Sequence, residues 1–304
     1  MKIILSRKGF DSTSGGVPSP IFEDGTMLSL PIPRKSDVSY GELRNPFNDG
    51  KFRNLGELVE QLTNYRMSQD CRAHLDPDLN PAMIERAAGW RGIFGQNGGF
   101  ETTLENVGRG DLFLFFGLFQ KVCRNSRHGR YQYDGKTQMH VIHGWLMVEE
   151  KYRIPEDMDR ILEWAKYHPH VRFRDIEDRP NAIYIAAEKL SSDPTIPGWG
   201  VFQRFDKELR LSHPEPYYDR GKRKLPPSRW QLPAWFYDPQ RSSQRLTQFG
   251  NNRFWSDLGD NFVTLETSKA RTGQECVLDC KDYPHAAEWA FGKIKSSLVC
   301  SNAA

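Results

Sequence analysis

The feature that most constrains the fold is the segment of residues 111–119, which is rich in Phe, is apolar except for Asp111, and follows Gly108 and Gly110. The run is far shorter than the roughly 20 residues of a membrane span, and it predicts a strand buried on both faces at the centre of a sheet. A second apolar segment at residues 140–148 is its natural partner, and residues 181–187 predict a third strand. Together these segments predict an α+β fold with a mixed, largely antiparallel sheet and flanking helices.

Four segments predict helices, and one segment near the start of the chain predicts a hairpin. The strongest helical pattern follows Asn54, a favourable N-cap, and has apolar residues at steps of three and four. The predicted helices cover residues 55–67, 81–88, 155–167 and 286–295. Residues 3–5 predict a strand, residues 9–20 a loop rich in Gly, Ser and Pro, and Asp24 with Gly25 a tight turn between two short strands.

Length and hydropathy narrow the class of protein. A chain of 304 residues fits one large domain, with an α+β core over residues 1–193, a loop-rich extension over 194–285 and a C-terminal helix and tail over 286–304. The mean hydropathy of −0.67 and the lack of an apolar run of span length argue against a membrane-spanning protein. A short apolar N-terminus and five scattered cysteines predict an intracellular, cytoplasmic protein with free thiols.

Basic residues are concentrated in two segments, residues 121–136 and 204–253, although the formal net charge is only +3. The second segment carries eleven Lys or Arg against five Asp or Glu, interleaved with aromatic side chains. This mixture is typical of a nucleic-acid surface, where bases stack on rings and cations follow phosphates. The alternative is that the aromatic side chains fill a loop-rich core and the charges are simply solvated. The predicted nucleic-acid contacts are Lys222, Arg223, Lys224, Arg229 and Trp230.

The N-terminal loop combines groups that suit a phosphate or a nucleotide. Arginine offers a planar fork of donors, lysine a mobile charge, and glycines let backbone amides approach a ligand. Asp11 is then a predicted general base, or binds a sugar hydroxyl. The alternative is that Asp11 and Ser12 only hydrogen-bond a tight turn while Arg7 and Lys8 are solvated. The predicted nucleotide-binding residues of this loop are Arg7, Lys8, Ser12, Gly15, Gly16 and Ser19.

The turn at residues 74–79 is a second candidate site. Asp76 and Asp78 stand two apart on a proline-containing turn and could serve as acid, base or divalent-metal ligands, with Asp76 the predicted catalytic residue. The alternative is that Asp78 caps a helix or shapes the turn. Two carboxylates do not establish a metal site, and the sequence predicts none. His168 and His170 flank a proline that predicts a loop, and they receive no role.

Two histidines lie on the second central strand. His140 and His143 are three residues apart, so their side chains point to opposite faces unless a bulge intervenes. His143 is the better candidate for ligand binding, and a satisfied core histidine is the alternative. Trp145 and Trp199 are candidate walls of a pocket for a modified or extruded base.

Several motifs together resemble one family of bacterial and phage proteins. They lie at residues 5–12, 15–20, 29–33, 74–79, 95–96, 110–117 and 143–145, with a weaker one at 230–233. In these motifs the chain resembles the nucleotide modification associated domain 3 family, which is grouped by its association with DNA-base modification systems. The resemblance implies an association with DNA-base modification, but it implies no particular reaction. A weaker similarity of the central strands, in which a Gly-Asp step enters an apolar strand, is to PUA-like domains of the EVE and ASCH kind, which bind modified bases.

Common catalytic signatures are absent from the sequence. It contains no Gly-x-Ser-x-Gly, His-Glu-x-x-His, Gly-x-Gly-x-x-Gly or Cys-x-x-Cys motif. The leading hypothesis is an enzyme of nucleotide or DNA-base modification that acts by transfer or hydrolysis on a nucleotide or on a base of DNA. The alternative is a non-catalytic reader of modified bases, and a protein-interaction module is a third reading. The sequence predicts neither a particular cofactor nor an oligomeric state.

Overall fold

The computed structural model describes residues 1–98, 101–135, 138–173, 181–214, 226–269 and 275–302. Its strands are β1 Lys2–Arg7, β2 Ser19–Ile21, β3 Ile93–Asn97, β4 Leu112–Arg124, β5 Tyr131–Tyr133, β6 Met139–Ile154, β7 Asn181–Ala186, β8 Lys189–Leu190, β9 Asp193–Pro197, β10 Trp199–Val201, β11 Arg229–Pro233, β12 Trp255–Ser256, β13 Phe262–Glu266 and β14 Glu275–Asp279. Its α-helices are α1 Leu55–Leu62, α2 Glu101–Leu104, α3 Pro169–Arg172 and α4 Ala286–Asn302.

The main sheet is mixed and mostly antiparallel, as predicted. Within the described ranges it has nine strands, and its central order is β14, β1, β4, β6, β7, β3. The first strand runs parallel to β4 and antiparallel to β14, and the remaining neighbours on this path are antiparallel. Three short strands attach at its sides, because β10 pairs with β6 while β2 and β5 pair with β4. The three predicted central strands are therefore confirmed.

A bulge interrupts the pairing of β4 with β6. Phe115 lies opposite Gly144 and Phe116 lies opposite Ile142, so His143 has no residue opposite it. An extra residue of this kind bends the strand and re-aims its side chain. The ring of His143 consequently reaches the N-terminal region, where its Nε2 lies 3.5 Å from the Ser29 hydroxyl oxygen.

The helix predicted after Asn54 is confirmed, although it is shorter than expected. Oδ1 of Asn54 accepts a hydrogen bond of 2.9 Å from the backbone amide of Glu57, which satisfies one of the free donors of the first turn. The helix ends at Leu62 because Asn64 and Tyr65 take positive φ angles of 50° and 59°. The buried face of α1 packs into an apolar cluster beside β5.

Two of the predicted helices are wrong. Residues 81–88 form turns, and Arg86 reaches back from them to the buried carboxylate of Asp78. Residues 155–167 contain only single 3-10 turns, and this path lets Ile161 and Ala165 pack against the cluster on β3 and β7. In both segments tertiary contacts outweigh the local helical preference.

The chain after residue 194 contributes more regular structure than its Gly- and Pro-rich composition predicts. Strands β10 and β14 complete the main sheet, and β11, β13 and β12 form a second one. The predicted final helix is confirmed and extends to Asn302. Its Ala286, Ala290 and Ile294 are fully buried in the same apolar cluster as Ile3 of β1. No helix in the described ranges is both long and apolar enough to cross a membrane.

Candidate functional site

A polar cleft of about 220 Å³ lies where the end of β1, the N-terminal loop, the 74–79 turn, β3 and α3 meet. The side chains that give it its chemistry are Arg7, Lys8, Asp11, Arg34, His74, Asp76, Gln96 and His170. The N-terminal loop and the turn with Asp76 thus line one cleft, as the sequence predicts.

Asp11 organises the N-terminal loop. Its Oδ1 accepts hydrogen bonds of 2.7 Å from the amide and the hydroxyl of Thr13 and from the amide of Ser14, and its Oδ2 forms an ion pair of 3.0 Å with Arg7. Both carboxylate oxygens are therefore engaged in holding the turn, which is the alternative considered for this residue. A general-base role for Asp11 stays a prediction.

The other predicted residues of the loop serve its shape or lie on its surface. Gly15 and Gly16 have φ angles of +83° and +73°, which favour glycine, and a Cβ on Gly15 would overlap the Phe10 ring. Ser12 is exposed, whereas the buried hydroxyl of Ser19 accepts a hydrogen bond of 3.1 Å from the Leu30 amide. These contacts give the loop a fixed shape beside the cleft.

Lys8 is held in a nearly buried ion pair and is not solvated. Its Nζ lies 3.1 Å from Oε1 of Glu275 and 3.0 Å from Oε1 of Gln96, and it lies 4.8 Å from the centre of the Phe94 ring. The Glu275 side chain is fully buried and also accepts a hydrogen bond from Ser6. Lys8 therefore ties the end of β1 to β3 and β14 at the floor of the cleft.

Asp76 is the largely buried carboxylate of the cleft, with a side chain that is 7% exposed. Its Oδ1 accepts a hydrogen bond of 2.7 Å from the Gly95 amide and lies 3.6 Å from Nε2 of His168, while its Oδ2 lies 3.4 Å from Nε2 of His170. Burial alone would raise the pKa of Asp76, but His170, His168 and Lys8 outweigh it and hold the pKa well below its usual value. The group is an anion at neutral pH.

His74 and His170 each hold Nδ1 in a hydrogen bond to an oxygen acceptor. Nδ1 of His74 lies 3.0 Å from the carbonyl oxygen of Lys35, which can only accept, so this nitrogen carries the proton. Nδ1 of His170 lies 2.9 Å from Oδ1 of Asn181, whose amide nitrogen donates to the His170 carbonyl. In the neutral form of each ring, Nε2 therefore carries a lone pair.

His143 lines a second, smaller cavity of about 50 Å³, together with Gly9 and Asp76. Burial lowers the pKa of His143 to about 3, so the ring is neutral. Trp145 is buried and donates a hydrogen bond of 3.1 Å to the Pro197 carbonyl, while Trp199 packs edge-on against Trp90. Neither tryptophan lines either of these two cavities.

A comparison with known protein families decides which family the chain belongs to. The model of the family described as nucleotide modification associated domain 3 matches residues 2–279. The chain belongs to this family. No curated protein and no solved structure matches the chain. The family description associates the protein with nucleotide modification, and it distinguishes neither an enzyme from a reader nor one reaction from another.

The family match reaches far beyond the motifs that suggested it, since it continues through β14. The residues of those motifs meet at the cleft: Arg7, Lys8 and Asp11 come from the first, His74 and Asp76 from another, and Gly95 and Gln96 from a third. The similarity to PUA-like domains stays a prediction.

The predicted nucleic-acid contacts lie outside the cleft. Arg229 forms ion pairs with Asp257 and Glu266. Trp230 is 2% exposed and donates a hydrogen bond of 2.9 Å to Nδ1 of His140 inside the core, which leaves its ring no free face for a base. Lys222, Arg223 and Lys224 lie outside the described residues, so contact of this segment with DNA stays a prediction.

The residues that the sequence reasoning missed are Arg34, His168 and His170. Pro169 between the two histidines begins α3, because proline is well suited to the first position of a helix. Gly95 makes room for this helix, since a Cβ at that position would overlap the His170 ring. The sequence pattern that could have drawn attention to the histidines is their placement around a proline that begins a helix. No local sequence pattern indicates, however, that these histidines lie beside Asp76.

Proposed function

We propose that the protein is an enzyme of nucleotide modification, which binds a nucleotide, free or within DNA, in the polar cleft. The observation that carries the proposal is that the cleft combines cations with a buried carboxylate flanked by histidines. Arg34 is exposed and forms no ion pair with any acidic side chain in the described ranges, and the Arg7 side chain is 34% exposed. Both can bind a phosphate, for which the arginine fork is suited.

The groups next to these cations suit chemistry as well as binding. Asp76 is an anion beside imidazoles, and such a set can hold and move a proton during transfer or hydrolysis at a glycosidic or phosphate bond. Asp76 is therefore the preferred catalytic candidate over Asp11, whose oxygens are already occupied. A protein that only binds modified bases would need a recognition surface, but it would not need a carboxylate flanked by imidazoles.

The experiment is a binding titration followed by mass spectrometry. Nucleoside mono- and triphosphates and short DNA, unmodified or carrying hydroxymethylated bases, are titrated at two salt concentrations. Arg34→Ala should weaken binding about tenfold or more, because it removes a charged contact worth about 1.4 kcal/mol or more. Arg53→Ala removes an exposed arginine outside the cleft and should change nothing.

Turnover is tested on the same substrates by mass analysis of the recovered nucleosides, with a small-molecule cell extract as the source of cosubstrates. A mass change that Asp76→Asn abolishes in a folded variant supports the enzyme. Binding that gives no mass change with the extract present indicates a reader instead. Equal affinities of Arg34→Ala and Arg53→Ala, or no binding of any nucleotide or DNA, would overturn the cleft as the site.

A further inference from the structure

Nε2 of His170 and Nε2 of His168 both lie close to the carboxylate of Asp76, and in the neutral form of His170 this nitrogen carries a lone pair. Because Nδ1 of His170 donates to Asn181, its Nε2 has no proton in the neutral ring, yet it lies 3.4 Å from Oδ2 of Asp76. Two acceptors at this separation repel each other unless a proton or a metal ion lies between them. Lys8 Nζ is hydrogen-bonded to Glu275 and Gln96, so its charge acts on Asp76 from a distance and does not bridge the two acceptors.

The position of the third group favours a metal ion over a shared proton. One ligand atom from each of His74, Asp76 and His170 lies within 4.8 Å of the others. This spacing is close to that of ligands held about 2.0–2.2 Å from one ion.

The surroundings of the two histidines are those of metal ligands. Each donates its remote nitrogen to an oxygen acceptor, the Lys35 carbonyl for His74 and the Asn181 side chain for His170. Such contacts fix the ring and make the opposite nitrogen more basic. His168 adds a fully buried ring close to Asp76, and neither of its nitrogens has a hydrogen-bond partner among the described residues.

We propose that His74, Asp76 and His170 bind one divalent first-row transition-metal ion. Two imidazoles and one carboxylate suit Zn²⁺ or Fe²⁺, whereas Mg²⁺ and Ca²⁺ prefer sets made only of oxygen. Three protein ligands leave positions on the ion open toward the cleft. The role of the ion rests on the proposed function, because a cation beside Arg7 would strengthen nucleotide binding, but binding of the ion itself can be measured without nucleotide.

The test uses the untagged full chain after removal of metal with a chelator. Zn²⁺ and Co²⁺ are titrated by calorimetry and by visible absorption, with Mg²⁺ and Ca²⁺ in parallel. We expect one equivalent of Zn²⁺ or Co²⁺, visible bands from bound Co²⁺, and no comparable binding of Mg²⁺ or Ca²⁺. His74→Ala and His170→Ala should each weaken binding at least 100-fold, whereas His128→Ala, which removes an exposed histidine, should not.

Two further measurements keep the result clear if a variant folds poorly. Zn²⁺ should raise the melting temperature of the wild type and not that of His74→Ala. Gly95→Ala should weaken Co²⁺ binding about tenfold or more, because the added methyl group displaces the His170 ring while all three ligands remain.

Absence of stoichiometric Zn²⁺ or Co²⁺ binding would overturn the inference, as would binding unaffected by both histidine variants, or a preference for Mg²⁺. An NMR signal for a proton on Nε2 of His170 in protein saturated with Zn²⁺ would show a shared proton only. If metal binds and nucleotides do not, the proposed function fails and the metal site stands. If nucleotides bind and metal does not, the metal site fails and the proposed function stands.

Discussion

At the scale of single residues, the buried histidines make the free energy of unfolding depend on pH. Burial, with a smaller effect from Arg7, lowers the pKa of His140 from 6.5 to about 3 in the folded protein. The unfolded chain therefore binds the extra proton more readily, and the stability that is present above pH 6.5 is lost as the pH falls toward 3. From pH 7.5 to 5.5 this single group removes about 1.4 kcal/mol.

We expect His140→Asn to lessen this loss by about the same 1.4 kcal/mol. The amide oxygen of asparagine can still accept the hydrogen bond from Trp230, so the variant tests the charge and not the contact. Urea unfolding of wild type and variant at the two pH values measures the difference. His128→Asn, at an exposed position, should lose as much stability as wild type. Equal losses for all three proteins would contradict the prediction.

At the scale of elements, the ion pair of Lys8 with Glu275 joins the ends of β1 and β14. Breaking it with Lys8→Met leaves a fully buried carboxylate without its cation and should cost about 3–5 kcal/mol. The double variant with Glu275→Gln should cost less than the sum of the two single variants, because it removes both charges. Denaturant titrations of all four proteins give the coupling free energy.

The matched control for this cycle is the exposed pair of Arg53 with Glu57, which lies just before and within α1. Arg53→Met and Glu57→Gln should show a coupling of at most about 0.5 kcal/mol, as solvated pairs do. If the Lys8 and Glu275 variants are equally additive, the buried pair does not hold the two strands together.

At the scale of the whole molecule, the last strand and helix are part of the main core. A chain that ends at residue 269 lacks β14 and α4, so it exposes one edge of β1 and the apolar cluster that contains Ile3. We expect this chain to aggregate or to lose cooperative unfolding, as judged by gel filtration and urea denaturation. Adding residues 275–302 as a separate peptide should restore part of the soluble, folded fraction. A truncated chain with a wild-type unfolding midpoint would contradict this expectation.

The sequence predicts the middle of the sheet well because β4 and β6 are long and rich in apolar residues, and only the short β5 lies between them along the chain. It does not predict β3 or β14, which are only five residues long and owe their place to strands far away in sequence. The same reason limits the site. Asp76 is recognisable on its turn, but its approach to His170 depends on how β3 and α3 pack, which no local pattern encodes.

The position of β1 has a consequence for how the protein is made. This strand is synthesised before both of its neighbours, yet it lies between β4 and β14, and β14 follows all the other described strands along the chain. Contacts between such distant segments form slowly, because a long loop must close at an entropic cost before the contacts can stabilise the fold. The strand must therefore remain without one partner until β14 has been synthesised. Glu275, the ion-pair partner of Lys8, belongs to β14. The cleft can therefore be completed only after residue 275 has been synthesised.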